Sequence, residues 1–220
     1  MCIRDSKKIA EKAPPRQRYF TEEEIKRILG TDICQKLEFF GLLMRLAFGS
    51  CARKGALLDL RVERLNFDSN LIDFRNPNLP KKAKPRAIIP FPSAKIKEDL
   101  REMCKRSKSG YVFEGNTEYK SPYDGTFFMK SSGRIDGKLD YLTREAYKQA
   151  KVNEDENREK ACFHTIRHSG AVLMAKNAVP MKEISVYLGH TTVAETEKTY
   201  AKFHPDFMKK SSEVLANIID

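Results

Sequence analysis

The sequence has no apolar run near the roughly 18 residues that a membrane-spanning helix needs, and it opens with no apolar-centred signal segment. Both absences predict a cytosolic protein without a membrane partner. No CxxC pair occurs, and the five cysteines, Cys2, Cys34, Cys51, Cys104 and Cys162, are odd in number and scattered. They read as reduced thiols, which excludes a disulfide framework and a cysteine zinc site. No acidic cluster of the kind that holds Mg²⁺ stands out, and there is no internal repeat.

Positive charge is abundant. Lys and Arg total 41 against 30 Asp and Glu, a net charge of +11 over 220 residues. That excess favours a polyanionic partner, nucleic acid ahead of an acidic membrane surface. The length suits one main domain with a sizeable core.

Residues 1–18, "MCIRDSKKIAEKAPPRQR", are basic with a Pro-Pro pair and read as a flexible linker or remnant, leaving 19–220 as the folded domain. "TEEEIKRILG" carries a capping box, Thr21 with Glu24, and a stop at Gly30. Leu37, Phe40, Met44 and Ala47 recur at helical spacing, which predicts a buried helix to about Phe48 with a break at Gly49. A short helix through Leu58 follows. "NLIDF" and "RAIIPF" have strand character and flank "RNPNLPKKAKP", so a hairpin with a basic tip is expected.

"SAKIKEDLREMCKR" returns to helical period, and Ser107 to Lys138 reads as irregular with at most one helix near its end. "YLTREAYKQAKV" is helical and "NEDENREK" is a charged loop. Pro180 suits the first turn of "PMKEISVYL", which Gly189 closes. Thr192 and Glu195 suggest another capping box, for a short helix that carries Tyr200. "PDFMKKSSEVLANIID" is a last amphipathic segment with Phe207, Val214, Leu215 and Ile218 on its apolar side. The fold class expected is α+β, mainly α-helical, with a small antiparallel sheet.

The chemistry concentrates in "FHTIRHSGAVLM", residues 163–174, where His164, Arg167 and His168 share a helix face. A zinc-hydrolase reading fails because Thr165 stands where a HExxH site has its Glu general base. Two buried imidazoles with an exposed arginine remain the bland alternative. Elsewhere lie Arg53 at a helix start, the lysine-tipped hairpin, His190 and Tyr200. Such a set suits a phosphodiester: guanidinium forks match non-bridging oxygens, a phenol is a nucleophile, and an ammonium can protonate a departing oxygen. With no acid cluster, the cationic side chains take the electrostatic part a metal would have.

In order along the chain, "ARKGALLDL", "HTIRH", "LGH" and "TEKTYAKFHPD" resemble the four motif boxes of the tyrosine recombinases, or phage integrases, from about Phe20 to the end. The resemblance implies a tyrosine recombinase catalytic core with Arg53 and Arg167 clamping the scissile phosphate, His164 as acid/base group, and His190 donating to the phosphate. It implies Tyr200 as the nucleophile that forms a 3′-phosphotyrosine link. His168 supports the site. The family's hairpin lysine falls on Lys84, with Lys82 next; Lys81, Lys82 and Arg86 are expected to touch DNA.

The implied activity is metal-independent DNA strand transfer, with no cofactor or nucleotide, on double-stranded DNA. A homotetramer on paired DNA sites and a cytoplasmic, nucleoid-associated protein go with it. The chain departs from the family pattern at Ser50 and Cys51, where Thr-Gly is usual, and at Ala56, where an acidic residue is common. The usual N-terminal core-binding domain is expected to be absent. Two other readings stay open: a type IB topoisomerase-like DNA relaxase, and a non-catalytic or decayed DNA-binding protein.

Overall fold

The computed structural model describes residues 17–80, 83–114 and 139–219. Ten helices and three short strands occur among these residues, in the order α1 (Glu22–Leu29), α2 (Asp32–Lys36), α3 (Glu38–Ser50), α4 (Lys54–Leu58), β1 (Leu65–Asn66), β2 (Leu71–Asp73), β3 (Ile88–Pro90), α5 (Ala94–Arg106), α6 (Leu139–Gln149), α7 (Phe163–Lys176), α8 (Met181–Leu188), α9 (Val193–Tyr200) and α10 (Lys209–Ile219), besides two 3-10 turns. The mainly helical fold with a small antiparallel sheet is thus as expected.

Helix α3 runs through the middle of the main core. Phe39, Phe40, Leu42, Leu43, Met44, Leu46 and Ala47 are all buried, so the helix is apolar on nearly every side, as a helix enclosed by others must be. Each such large side chain contributes on the order of 1.5–3 kcal/mol by leaving water. Against it lie α1, α2, α4, α5 and α7.

Helix α1 starts with the expected capping box, in which the Glu24 amide donates to Thr21 Oγ1 at 3.2 Å and the Thr21 amide to Glu24 Oε2 at 2.9 Å. Glu24 has a second duty: it is buried and accepts Arg18 Nη2 at 2.6 Å. Arg18 also donates to the Val152 carbonyl at 3.1 Å, so this residue, read from sequence as linker, is anchored in the fold. Residues 1–16 lie outside the described ones.

The hairpin is present. Strand β2 pairs antiparallel with both β1 and β3, with Ile72 opposite Leu65 on one side and Ile89 on the other. Ile72 and Ile89 point into the core, which fixes the register because a one-residue slip would expose both. The Phe74 amide bonds the Ala87 carbonyl at 3.1 Å and carries the pairing on towards the tip. Lys81 and Lys82 at that tip lie outside the described residues, as does the stretch 115–138.

Gly49 does not break α3, which ends at Ser50. A Cβ on Gly49 would stand 2.6 Å from Pro92 Cβ, so the glycine permits a close approach instead of a stop. The stop falls on Cys51, a non-glycine residue with φ 52° in the left-handed region. That conformation costs roughly 1–2 kcal/mol for an L-residue. Its sulfur fills the space above Gly170 of α7, where an added Cβ would lie 2.1 Å from Cys51 Sγ. Pro180 caps α8 one position before its first residue, and Gly189 closes it at φ 64°.

One expectation near the end of the chain needs correction. Thr192 caps α9 by position but makes no side-chain cap bond, so no capping box exists there. Helix α10 keeps its apolar face in the open: Val214, Leu215 and Ile218 are 59%, 61% and 74% exposed. It does not pack on its own domain.

The fit of Cys51 against Gly170 predicts that Gly170→Ala destabilises the fold by about 1–3 kcal/mol through overpacking. Adding Cys51→Gly removes both the obstructing sulfur and the left-handed strain, and should recover most of the loss in urea denaturation. Equal destabilisation of the single and double variants would show that the sulfur is not the obstacle.

Candidate active site

Five elements converge on one cleft. Arg53 stands at the N-cap of α4, Lys84 on the return of the hairpin, His164 and Arg167 on the first turns of α7, His190 just after α8, and Tyr200 at the end of α9. All six line a single cavity of about 240 Å³. The turn at Gly189 makes this possible. A Cβ there would lie 2.8 Å from the Ala87 amide nitrogen and 2.9 Å from the Arg86 carbonyl carbon, so the end of α8 presses directly on the hairpin backbone.

Arg167 is the most constrained member. It is 4% exposed, and its Nη1 donates to the Cys51 carbonyl at 3.0 Å. Its Nη2 is buried with no hydrogen-bond partner among the described residues. Burial, then the positive charge of Arg53, bring its pKa down to about 10, which leaves it charged at neutral pH. A buried guanidinium with an unfilled donor is suited to receive an anion. Arg53 is also lowered, by burial, with Glu195 acting in the opposite sense. Its Nη1 is held by the Pro85 carbonyl, which ties the first arginine to the hairpin.

The imidazoles are kept neutral. His190 is lowered to about 4, by loss of hydration first and by Arg167 next. Its Nδ1 lies 2.8 Å from the buried Thr196 hydroxyl, and if that hydroxyl donates, Nε2–H is left to face the cleft. His164 is lowered too, by burial, Arg167 and Arg53 in that order, although its edge is open to solvent. His168 Nδ1 sits 3.3 Å from Tyr200 Oη, so it touches the phenol directly. The phenol's pKa is raised, by burial above all, and Tyr200 is only 7% exposed.

Lys84, read as the catalytic lysine, is exposed at the cavity rim, and of the residues read as DNA contacts Lys81 and Lys82 lie outside the described residues. Arg86 has a partner within the fold. Its Nη1 binds Asp59 Oδ2 at 2.7 Å and the Phe74 carbonyl at 3.3 Å, and both members of the ion pair are nearly buried. Through this pair Arg86 braces the hairpin against α4.

Three residues absent from the sequence-based set belong to the cleft: Thr196, Glu195 and the Cys51 carbonyl. Glu195 had a local explanation in the supposed cap, Cys51 stood out only as a departure from the family pattern, and nothing in the sequence marks Thr196. Among the described residues no group of three His, Cys, Asp or Glu side chains could hold a metal. The cluster's chemistry is that of an oxyanion site with a phenol beside it.

The family model for "Phage integrase family" matches residues 18–206. The chain belongs to the phage integrase family. A relative named Tyrosine recombinase XerC-like, from Caldanaerobacter subterraneus subsp. tengcongensis, is 26% identical over 90% of this chain and 54% of its own length. The chain therefore spans about half the length of that relative. Among solved structures, the catalytic domain of bacteriophage HP1 integrase superposes with a TM-score of 0.56 at 19% identity, covering 89% of this chain and 93% of that one. The Tn1549 transposon integrase, solved in complex with circular intermediate DNA, gives 0.60 at 19% identity over 93% and 68%. At such identities the integrase structures establish a shared fold.

A pH dependence follows from the neutral histidines. His190 has a folded pKa of about 4 against an ordinary 6.5, so between those values the unfolded chain binds the extra proton. Stability is therefore complete above about 6.5 and declines as pH falls towards 4. Urea midpoints without DNA should drop between pH 7.5 and 5, and His190→Gln should flatten that slope; an unchanged slope in the variant would rule His190 out as its source.

Proposed function

We propose that this chain cuts and rejoins DNA strands through Tyr200, as the catalytic part of a site-specific recombinase or integrase. The observation that carries the reading is the gathering of Arg53, Lys84, His164, Arg167, His190 and Tyr200 around one cavity, with a buried, unfilled Arg167 donor. Family membership supports it, as do the printed names of the recombinase relative and of the integrase solved with DNA.

In this mechanism Arg53 and Arg167 hold the non-bridging oxygens of the scissile phosphate and offset the charge that grows on them in the pentavalent transition state. His190 adds a neutral N–H donor. Tyr200 Oη attacks phosphorus while its proton passes to His164, which is unprotonated at neutral pH. A raised phenol pKa makes such a base necessary. His168 keeps the phenol oriented. The bond from phosphorus to the 5′ oxygen breaks, and Lys84 protonates that oxygen, with Lys82 as the alternative acid. The phosphotyrosine bond conserves the energy of the broken linkage, so religation requires no nucleotide, and the cationic side chains stand in for a metal.

Assembly belongs to the same proposal. The open apolar face of α10 suits docking on a neighbouring copy, as in a homotetramer holding paired double-stranded DNA sites, and such a protein would associate with the nucleoid. Among the described residues no helix is long and apolar enough to cross a membrane.

With nicked DNA whose cleaved 5′ fragment diffuses away, the protein should form a covalent protein–DNA band. Tyr200→Phe should abolish the band, and Arg167→Ala should reduce its rate by about 10²–10³-fold, the usual effect of removing one oxyanion donor. No band at a concentration where binding is shown would falsify the catalytic reading. Plasmid relaxation without recombination between defined sites would favour a topoisomerase-like activity. Leu215→Asp with Ile218→Asp should leave cleavage at a single site while lowering the oligomer formed on DNA, measured by sedimentation.

A further inference from the structure

Glu195 is the one carboxylate among the residues lining the cavity, beside Arg53, Arg167 and His190. The supposed helix cap that would have occupied it does not form, and among the described residues no hydrogen bond or ion pair holds its carboxylate. Its backbone carbonyl accepts Thr199 Oγ1 at 3.1 Å. Ala56, where an acid is common in the family, is buried against a neighbouring cavity lined by Arg53 and Arg167, so no negative charge reaches them from that residue.

We propose that Glu195 is an internal counter-anion, which balances the two arginines while the cleft is empty and opposes the DNA phosphate when it enters. This rests on the reading of the cleft as a phosphodiester site and adds what sets its affinity. Arg53 and Arg167 repel each other, and in the absence of DNA Glu195 favours the charged form of both, and of His190. A bound phosphodiester supplies the same compensation at closer range, and from then on the carboxylate is a like charge at the rim. Its position is that of a tuning residue, since it lies open to solvent and binds none of the reacting groups. Glu195 thereby weakens the hold on DNA and speeds its release, without taking part in proton transfer.

The test is binding of a fluorescent duplex of about 20 base pairs and arbitrary sequence, followed by anisotropy at several salt concentrations, for the wild type, Glu195→Gln and Glu195→Asp. Glu195→Gln should bind about fivefold tighter at low salt, with the gain vanishing as salt rises towards 1 M, where screening acts within about 3 Å. Glu195→Asp, which keeps the charge, should resemble the wild type. In an Arg167→Ala background the gain from Glu195→Gln should shrink, because the phosphate is no longer seated beside it.

Unchanged or weaker binding by Glu195→Gln overturns the proposal, and so does a gain of the same size in the Arg167→Ala background. A loss of covalent adduct with Glu195→Gln would make Glu195 a proton-transfer group and likewise overturn it. If instead wild-type binding is indifferent to Arg167→Ala, the phosphodiester reading of the cleft itself fails, a result distinct from those above.

Discussion

The Arg167 guanidinium is enclosed by protein, bonded through one terminal nitrogen to a backbone carbonyl and left with the other unfilled. Taking a charge out of water costs several kcal/mol even after relaxation, so the surrounding structure must compensate it or leave it strained. Much of the local architecture can be traced to this one group. The Cys51 carbonyl that receives it is aimed by a left-handed residue at the end of α3, and the sulfur of that residue is admitted by Gly170 one turn along α7. The compensation is incomplete without an anion, and that incompleteness gives the cleft its chemical direction.

Around Arg167 the protein keeps positive charge where it is fixed and removes it where it would be labile. Arg53 and Arg167 stay ionised, while the three histidines near them are held below their usual pKa by burial and by those same guanidinium charges or, at His168, by Lys202. Neutral imidazoles can each offer one donor and one acceptor, and the buried Thr196 hydroxyl bears on which nitrogen of His190 does which. The opening of α7 at this place adds the partial positive charge of a helix N-terminus, which favours an anion on the same side. Such preorganisation means that an anion entering the cleft would require little reorientation.

How much of this was legible in the sequence depended on range. The capping box at Thr21, the hairpin strands and the helical period of α3 and α5 are local patterns, and they appeared as read. Arg53, His164, Arg167, His190 and Tyr200 were legible as a set because four short motifs stand in order, and they line one cavity. The pairing of Arg86 was not legible because its partner, Asp59, is 27 positions away on another element. Glu195 was misread for the opposite reason: a nearby Thr192 supplied a sufficient local account of it.

By itself the sequence determined the elements, the apolar faces that drive them together and the chemical types available to a phosphodiester, because helical and strand periods and motif spacing are properties of neighbouring residues. Only the tertiary structure decided which charges are satisfied and which are left open. Arg86 is closed by Asp59, Arg167 is half-open, Glu195 is turned to the cleft, and α10 keeps an uncovered apolar face. These are outcomes of distance and burial between residues remote in the chain, and the free energy of a charge or an apolar surface is fixed by what surrounds it, not by its place in the sequence.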